Sequence, residues 1–196
     1  MMQNFFPLQA QNTTSASPYS YSVAYFGNNL WNPGIKLGFE YDWKVQNETI
    51  DPATDNSTPH KMPVKKAWMP GGNIGIYLDP GSHAGLFGNA GISYRRTSEK
   101  GRNRHIALNP AGIYRSFLTE TYAYDNQGGV DRVTLPGNLY YAPAFSFGVG
   151  KFTNRSLHSG WFTQVTVITL MPYNHWIMPL INLEVGFMFG KRGGAR

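Results

Sequence analysis

Residues 34–45 read GIKLGFEYDWKV. Ile35, Leu37, Phe39, Tyr41, Trp43 and Val45 alternate with Lys36, Gly38, Glu40, Asp42 and Lys44. Successive side chains of a strand point to opposite faces. The stretch therefore predicts a strand with one apolar and one polar face. Alternation alone does not say which face meets solvent. Apolar residues pointing inward describe a soluble sheet protein; pointing outward, they describe a protein whose solvent is lipid.

The same period recurs along the chain, bounded by Gly, Pro, Asn and Asp. It predicts strands over about 19–26, 34–45, 64–78, 84–97, 105–124, 141–152, 160–171 and 176–189, with the regular part of the fifth near 111–118. The connections between them are short, except 119–139, read as a long hairpin loop, and the polar stretch 46–63. No amphipathic helix and no break in composition divides the chain. Consecutive antiparallel strands in even number suit an up-and-down barrel, which has no open edge.

Composition supports a lipid boundary. Of 196 residues, 14% are charged, well below the roughly 25% usual in soluble domains. No run of about 18 apolar residues exists to make a spanning helix. A mean hydropathy of -0.35 is compatible with a membrane barrel, which needs apolar residues only at every second position. There is no cysteine, hence no disulfide and no thiolate metal site. The net charge of +6 is compatible with a solvated basic surface or with attraction to anionic lipid headgroups or lipopolysaccharide phosphates. No basic helix or nucleic-acid motif appears.

The faces opposite the apolar ones are rich in small residues: Gly38, Gly75, Gly91, Ser93, Ser146, Gly148, Gly150 and Gly186. A solvated face would be rich in Lys and Glu. Small residues suit the lumen of an eight-stranded barrel, which is just wide enough for side chains to fill. The predicted lipid-facing belt is then Ile35, Leu37, Phe39, Ile74, Ile76, Leu86, Ile92, Phe145, Phe147, Val149, Val165, Val167, Leu183, Val185 and Phe187. Tyr41, Trp43, Tyr94, Trp161, Trp176 and Phe189 lie near strand ends, where aromatic girdles mark membrane interfaces. Lys36, Glu40, Asp42, Lys44, Arg95, Arg115 and Glu184 are the candidate polar network of the lumen, although Arg115 shares its parity with Ile113 and Phe117. Charges in so confined a space need partners.

The last strand, LINLEVGFMFG, resembles the closing strand of bacterial outer-membrane barrels, although KRGGAR follows its final aromatic. With YFGNNLWNPGIKLGFEY, RSFLTETYAYDNQGGVDRV and YYAPAFSFGVGKF, the chain is similar to small outer-membrane barrels of Bacteroidota-type bacteria over about residues 24–190. The resemblance implies a fold and a location in the outer membrane, reached through the periplasm. It carries over no active site. Residues 1–17, MMQNFFPLQAQNTTSAS, read as the remnant of a signal peptide or a flexible tail; 18–190 as one barrel domain; 191–196 as a tail. Both termini then lie at one end, normally periplasmic. The long stretch 46–63 shares that end, against the rule of short periplasmic turns.

No catalytic or metal constellation is evident. His60, His83, His105, His158 and His175 sit in or beside predicted connections, without metal-ligand spacing, and read as exposed loop residues. His158 and Ser159 invite comparison with lipid A acyl hydrolases or transferases, but neighbours in a strand face opposite ways. The expectation is a non-enzymatic outer-membrane barrel of structural or interactive role, with no cofactor and no wide channel. Its expected partners are membrane lipids, lipopolysaccharide and an envelope complex. Two alternatives stay open: a soluble calycin-like barrel holding a small apolar ligand between Ile35, Leu37 and Phe39, and a lipid A-modifying enzyme.

Overall fold

Period-two segments can bury one face and pair their backbones only by lying side by side, and that is the arrangement found. The computed structural model describes residues 18–28, 31–50, 62–80, 83–118, 122–124, 129–133, 137–154, 159–173 and 176–190. The strands are β1 (Tyr19–Asn28), β2 (Asn32–Tyr41), β3 (Lys44–Ile50), β4 (Met62–Asp79), β5 (His83–Thr97), β6 (Arg102–Leu118), β7 (Tyr122–Tyr124), β8 (Val130–Arg132), β9 (Leu139–Tyr141), β10 (Ala144–Asn154), β11 (Ser159–Tyr173) and β12 (Trp176–Gly190). β1, β2, β4, β5, β6, β10, β11 and β12 follow one another in a ring, all antiparallel, and β12 returns to β1 from Ser20↔Gly190 to Asn28↔Asn182. The protein is thus an all-β, eight-stranded antiparallel up-and-down barrel. Closure leaves no ring strand with an unpaired edge.

The alternation resolves in one sense around the whole ring. Ile35, Leu37 and Phe39 are 59, 52 and 40% exposed, while Lys36 on the same strand is 5% exposed. Ile74, Ile76, Phe145, Phe147, Val149, Val165, Leu183, Val185 and Phe187 are likewise exposed. Leu86, Ile92 and Val167 are partly covered but share the outer face of their cross-strand partners Ile76, Leu108 and Ile181. With Ile35, Leu37 and Phe39 outside, the calycin-like arrangement is not the one adopted.

Three expectations are corrected. The segment 34–45 is not one strand. It breaks at Asp42-Trp43, and Lys44 opens β3, which pairs with the first part of β4 from Lys44↔Trp68 to Ile50↔Met62. Part of the supposed connection 46–63 is therefore a two-stranded ribbon extending the barrel at the end that carries the termini. There Lys66 pairs with Glu48, and this hydrogen bond and charge hold the Glu48 carboxyl below the ordinary carboxylate range. The fifth strand is also displaced from its expected span of about 105–124, running Arg102–Leu118. It starts at Arg102, after a tight turn in which Gly101 (φ 77°) donates to Ser98. Lastly, β6 carries a bulge: Ala90 pairs with Ala111 but Ile92 with Leu108. Pro110 sits in it, where a missing N–H costs no ladder bond, and its carbonyl accepts from the Tyr141 hydroxyl at 2.5 Å. The bulge reverses the parity of β6, so Arg104, Ile106 and Leu108 face out on one side of it and Ile113 and Arg115 on the other.

The lumen is filled by pairing large rings with glycine. Phe26 stands opposite Gly34, Phe87 opposite Gly75, Tyr77 opposite Gly85, and His105 opposite Gly148. Each ring lies over its glycine, where a Cβ would collide with it. Gly88, on the outer face, has open space, its nearest such neighbour being the Asn73 carbonyl at 3.8 Å. Gly75→Val is therefore expected to destabilise the barrel by about 1–3 kcal/mol through overpacking, and Gly88→Val to be neutral or stabilising. Urea unfolding midpoints in detergent, followed by tryptophan fluorescence, check the pair.

Candidate functional site

Three layers fill the lumen. Toward the end with the longer 119–138 connection, Phe26, Tyr77, Phe87, Tyr114, Ile168, Leu170 and Leu180 form a buried aromatic and aliphatic plug. Phe26 packs edge-on against Phe87, with ring centroids 5.4 Å apart. The plug has one polar thread: the Tyr77 hydroxyl lies 2.6 Å from the Tyr114 hydroxyl and 3.0 Å from His83 Nε2, and His83 Nδ1 lies 3.6 Å from Asp79.

Below the plug is a charged layer. Lys36 and Glu184, 5% and 0% exposed, form an ion pair. The register puts Ala24 and Gly186 in the row of Lys36, and these small residues leave room for its stem to cross two strands. The Glu184 carboxylate also accepts from Thr166 Oγ1 at 2.6 Å and from Gln164 Nε2 at 2.7 Å. That amide orientation leaves Gln164 Oε1 to accept from His105 Nε2 at 2.6 Å. Ser146 and Thr166 share a bond of 2.9 Å. His105 reaches Gln164 across β10 because the residue between them is Gly148.

A second charged cluster lies nearer the termini. Arg95 pairs with Glu40, and Ser93 Oγ lies 2.9 Å from the same carboxylate and 3.2 Å from the Met69 carbonyl. Between the two clusters is a polar cavity of about 70 Å3, lined among others by Lys36, Glu40, Arg95, His105 and Gln164. Arg95 Nε, His105 Nδ1 and the Asn73 and Asn89 side-chain oxygens are buried and accept or donate no bond within the protein. Arg95, His105 and Asn73 line the cavity, and their unbonded atoms suit ordered water, which needs about 2–4 polar partners.

Of the seven residues expected in the lumen, Lys36, Glu40, Arg95 and Glu184 meet there, as two pairs rather than one network. Asp42 lies at the rim, 3.2 Å from Lys65. Lys44 is exposed on β3, since the strand break removes it from the series of Lys36 and Glu40. Arg115 is on the outer face, where the bulge at Pro110 puts it, with its guanidinium 5.4 Å from the Phe117 ring. His105 was expected in an exposed loop and is instead a buried lumen residue, because the preceding turn is tight and β6 begins early. Ser146 lies on the small-residue face that the sequence assigns to the lumen, whereas Gln164 and Thr166 are marked there only by their parity on β11. His83 is half-buried in the plug thread. His60, His158 and His175 lie outside the described residues, as do the tails 1–17 and 191–196. Ser159 opens β11 opposite Asn154. Tyr41, Trp43, Tyr94, Trp161 and Phe189 lie toward the terminal end, and Trp176, 81% exposed, at the other.

No family model matches the chain. No curated protein matches it either. Among solved structures, the crystal structure of the β domain of the Bordetella autotransporter Brka is similar over 90% of this chain and 71% of that chain, at 13% identity and a TM-score of 0.36.

A fully buried pair of opposite charges makes the lumen sensitive to single substitutions. Glu184→Leu is expected to cost about 3–5 kcal/mol, because it strands the Lys36 ammonium away from water. Lys36→Met combined with Glu184→Leu is expected to recover most of that loss. A double-mutant cycle on unfolding midpoints measures the coupling, and additive losses would count against the pair.

Proposed function

We propose that the chain is an integral outer-membrane β-barrel of Gram-negative type, akin to the small Bacteroidota-type barrels it resembles, with a structural or interactive role in the envelope. One observation carries this reading: burial is inverted. Glu184 and Lys36 are enclosed, while a continuous outer belt of Ile, Leu, Val and Phe is open around the ring. Soluble monomers rarely expose apolar patches larger than a few hundred Å2. A lipid boundary removes the conflict, since it buries the belt and each ring strand is paired along both edges, as hydrocarbon requires.

Strand length and aromatic placement support the same reading. β1 and β2 have 10 residues each and β10 has 11, and the other five ring strands have 15 to 18, so every ring strand reaches the roughly 9–11 residues that cross a bilayer when tilted. Trp43, Trp68 and Trp161 are exposed toward one end, and Trp31 and Trp176 toward the other. The plug of Phe26, Tyr77, Phe87 and Tyr114 favours a closed lumen over a wide channel. The clusters are bonded for packing, so the role proposed is non-enzymatic and needs no cofactor. Lipids, lipopolysaccharide and other envelope proteins are the partners such a surface offers. The leader-like 1–17 segment fits export.

Leu37→Arg tests the reading. A midplane arginine on a lipid face costs about 2–4 kcal/mol. Wild-type protein is expected in the carbonate-resistant membrane fraction, with different gel mobility before and after boiling. The variant is expected to assemble poorly. Wild-type protein recovered in the soluble fraction would contradict the proposal.

A further inference from the structure

The outer face has one strongly charged patch, and the fold puts its charges directly against one another. Arg96 on β5 stands opposite Arg104 on β6, and Arg102 on β6 stands opposite Lys151 on β10. All four are exposed on the outer side of the barrel. Like charges directly opposite across antiparallel strands repel. No ion pair among the described residues holds any of them, whereas nearby Lys66 pairs with Glu48. Lys100, in the turn tied to β10 through the bond from Phe152 N to the Gly101 carbonyl, adds a fifth positive charge, against one from Glu99.

The level of the patch is set by its neighbours. Lys66 and Arg96 lie one outward position beyond Trp68 and Tyr94, which pair cross-strand with ring centroids 5.0 Å apart. Trp161 stands opposite Lys151. The charges therefore form a row just outside an aromatic girdle, where the phosphates of a bilayer lie. Toward the barrel middle, Arg104 is followed on β6 by Ile106 and Leu108, and Val149 opposite it by Phe147 and Phe145, all exposed except where they touch. A groove of about 850 Å3 runs between Arg96, Arg104, Lys151, Val149 and Trp161.

We infer that this groove is a binding site for an anionic glycerophospholipid, with the headgroup phosphate between Arg96, Arg104, Arg102 and Lys151 and an acyl chain along Val149, Ile106 and Phe147. The inference rests on the membrane reading above. A phosphate there supplies countercharge to both opposed pairs, of which only Arg96 otherwise feels a carboxylate, that of Glu48, and without an ion pair. Arginine forks bind phosphate oxygens in pairs. The source is taken as a glycerophospholipid because this end carries the barrel termini and the tight Ser98–Gly101 turn, features of the periplasmic side.

The test uses the full chain in nanodiscs containing phosphatidylethanolamine, phosphatidylglycerol and lipid A, released into native mass spectrometry. Wild-type protein is expected to retain phosphatidylglycerol selectively. Arg96→Gln with Arg104→Gln should reduce that selectivity roughly thirty-fold, at about five-fold per lost cation near the surface. Lys44→Gln, a loss of one positive charge on the β3 ribbon, should leave it unchanged. If the double variant does not fold, Lys100→Gln with Lys151→Gln serves in its place, and the wild-type preference is read in any case. Equal retention of phosphatidylethanolamine and phosphatidylglycerol by the wild type, or selectivity unaffected by the substitutions, would overturn the site. Retention of lipid A in preference to phosphatidylglycerol would overturn the assigned ligand. Failure of the wild type to enter nanodiscs at all would instead fail the membrane reading, a distinct outcome.

Discussion

Closure of β12 onto β1 is the constraint on which the rest of the structure depends. An open eight-stranded sheet could bury either face by folding over. A ring cannot: one face must line a lumen barely wide enough for side chains, and the other must face outward without limit. The contents of the lumen are then rationed by volume. Several large rings fit because the opposite residue is glycine, as Phe87 over Gly75 and His105 over Gly148 show. The bulky aliphatic residues at Ile35, Leu37 and Val185 have room only outside. The inversion of burial follows from ring size as much as from polarity.

The same confinement explains why the lumen charges come as tight pairs. Lys36 and Glu184 sit below an aromatic plug, with no bulk water to screen them, so their stability depends on mutual contact and on the hydroxyl and amide donors around the carboxylate. The bonds of the two clusters draw on β2, β4, β5, β6, β10, β11 and β12. Four of these contacts, Lys36–Glu184, Arg95–Glu40, Ser93–Glu40 and His105–Gln164, link strands that are not ladder neighbours, and so brace the ring against flattening. Glu40 and Arg95 do this across β4, in the row where Gly71 faces Gly91.

Much of this was legible in the sequence, because period two is visible wherever a strand runs without interruption. The belt from Ile35 to Phe187 and the lumen positions of Lys36, Glu40, Arg95 and Glu184 follow from parity alone. What was not legible lies where parity breaks. The pattern of 34–45 continues through Asp42-Trp43 although the chain leaves one strand there and enters another, so Lys44 carried a false phase. At Pro110 the bulge adds one residue and reverses the phase, which displaced Arg115 and hid the early start of β6 with His105. Which lumen charges pair was also beyond the sequence, since partners on β2 and β12, or on β2 and β5, are set by ring order and register. The outer basic patch was visible only as net charge until the register brought Arg96 against Arg104.

The central claim is that lipid, not water, meets the outer face. The absence of cysteine allows a single nitroxide label at each position of β2 from 34 to 40 without removing a native thiol. In bilayers, accessibility to oxygen, which concentrates in hydrocarbon, and to a water-soluble nickel chelate reports on each site. The expected result is a period-two profile with oxygen accessibility high at Ile35, Leu37 and Phe39 and low at Lys36 and Gly38, and the nickel chelate excluded from all three apolar positions. High chelate accessibility at Ile35, Leu37 and Phe39 would contradict it.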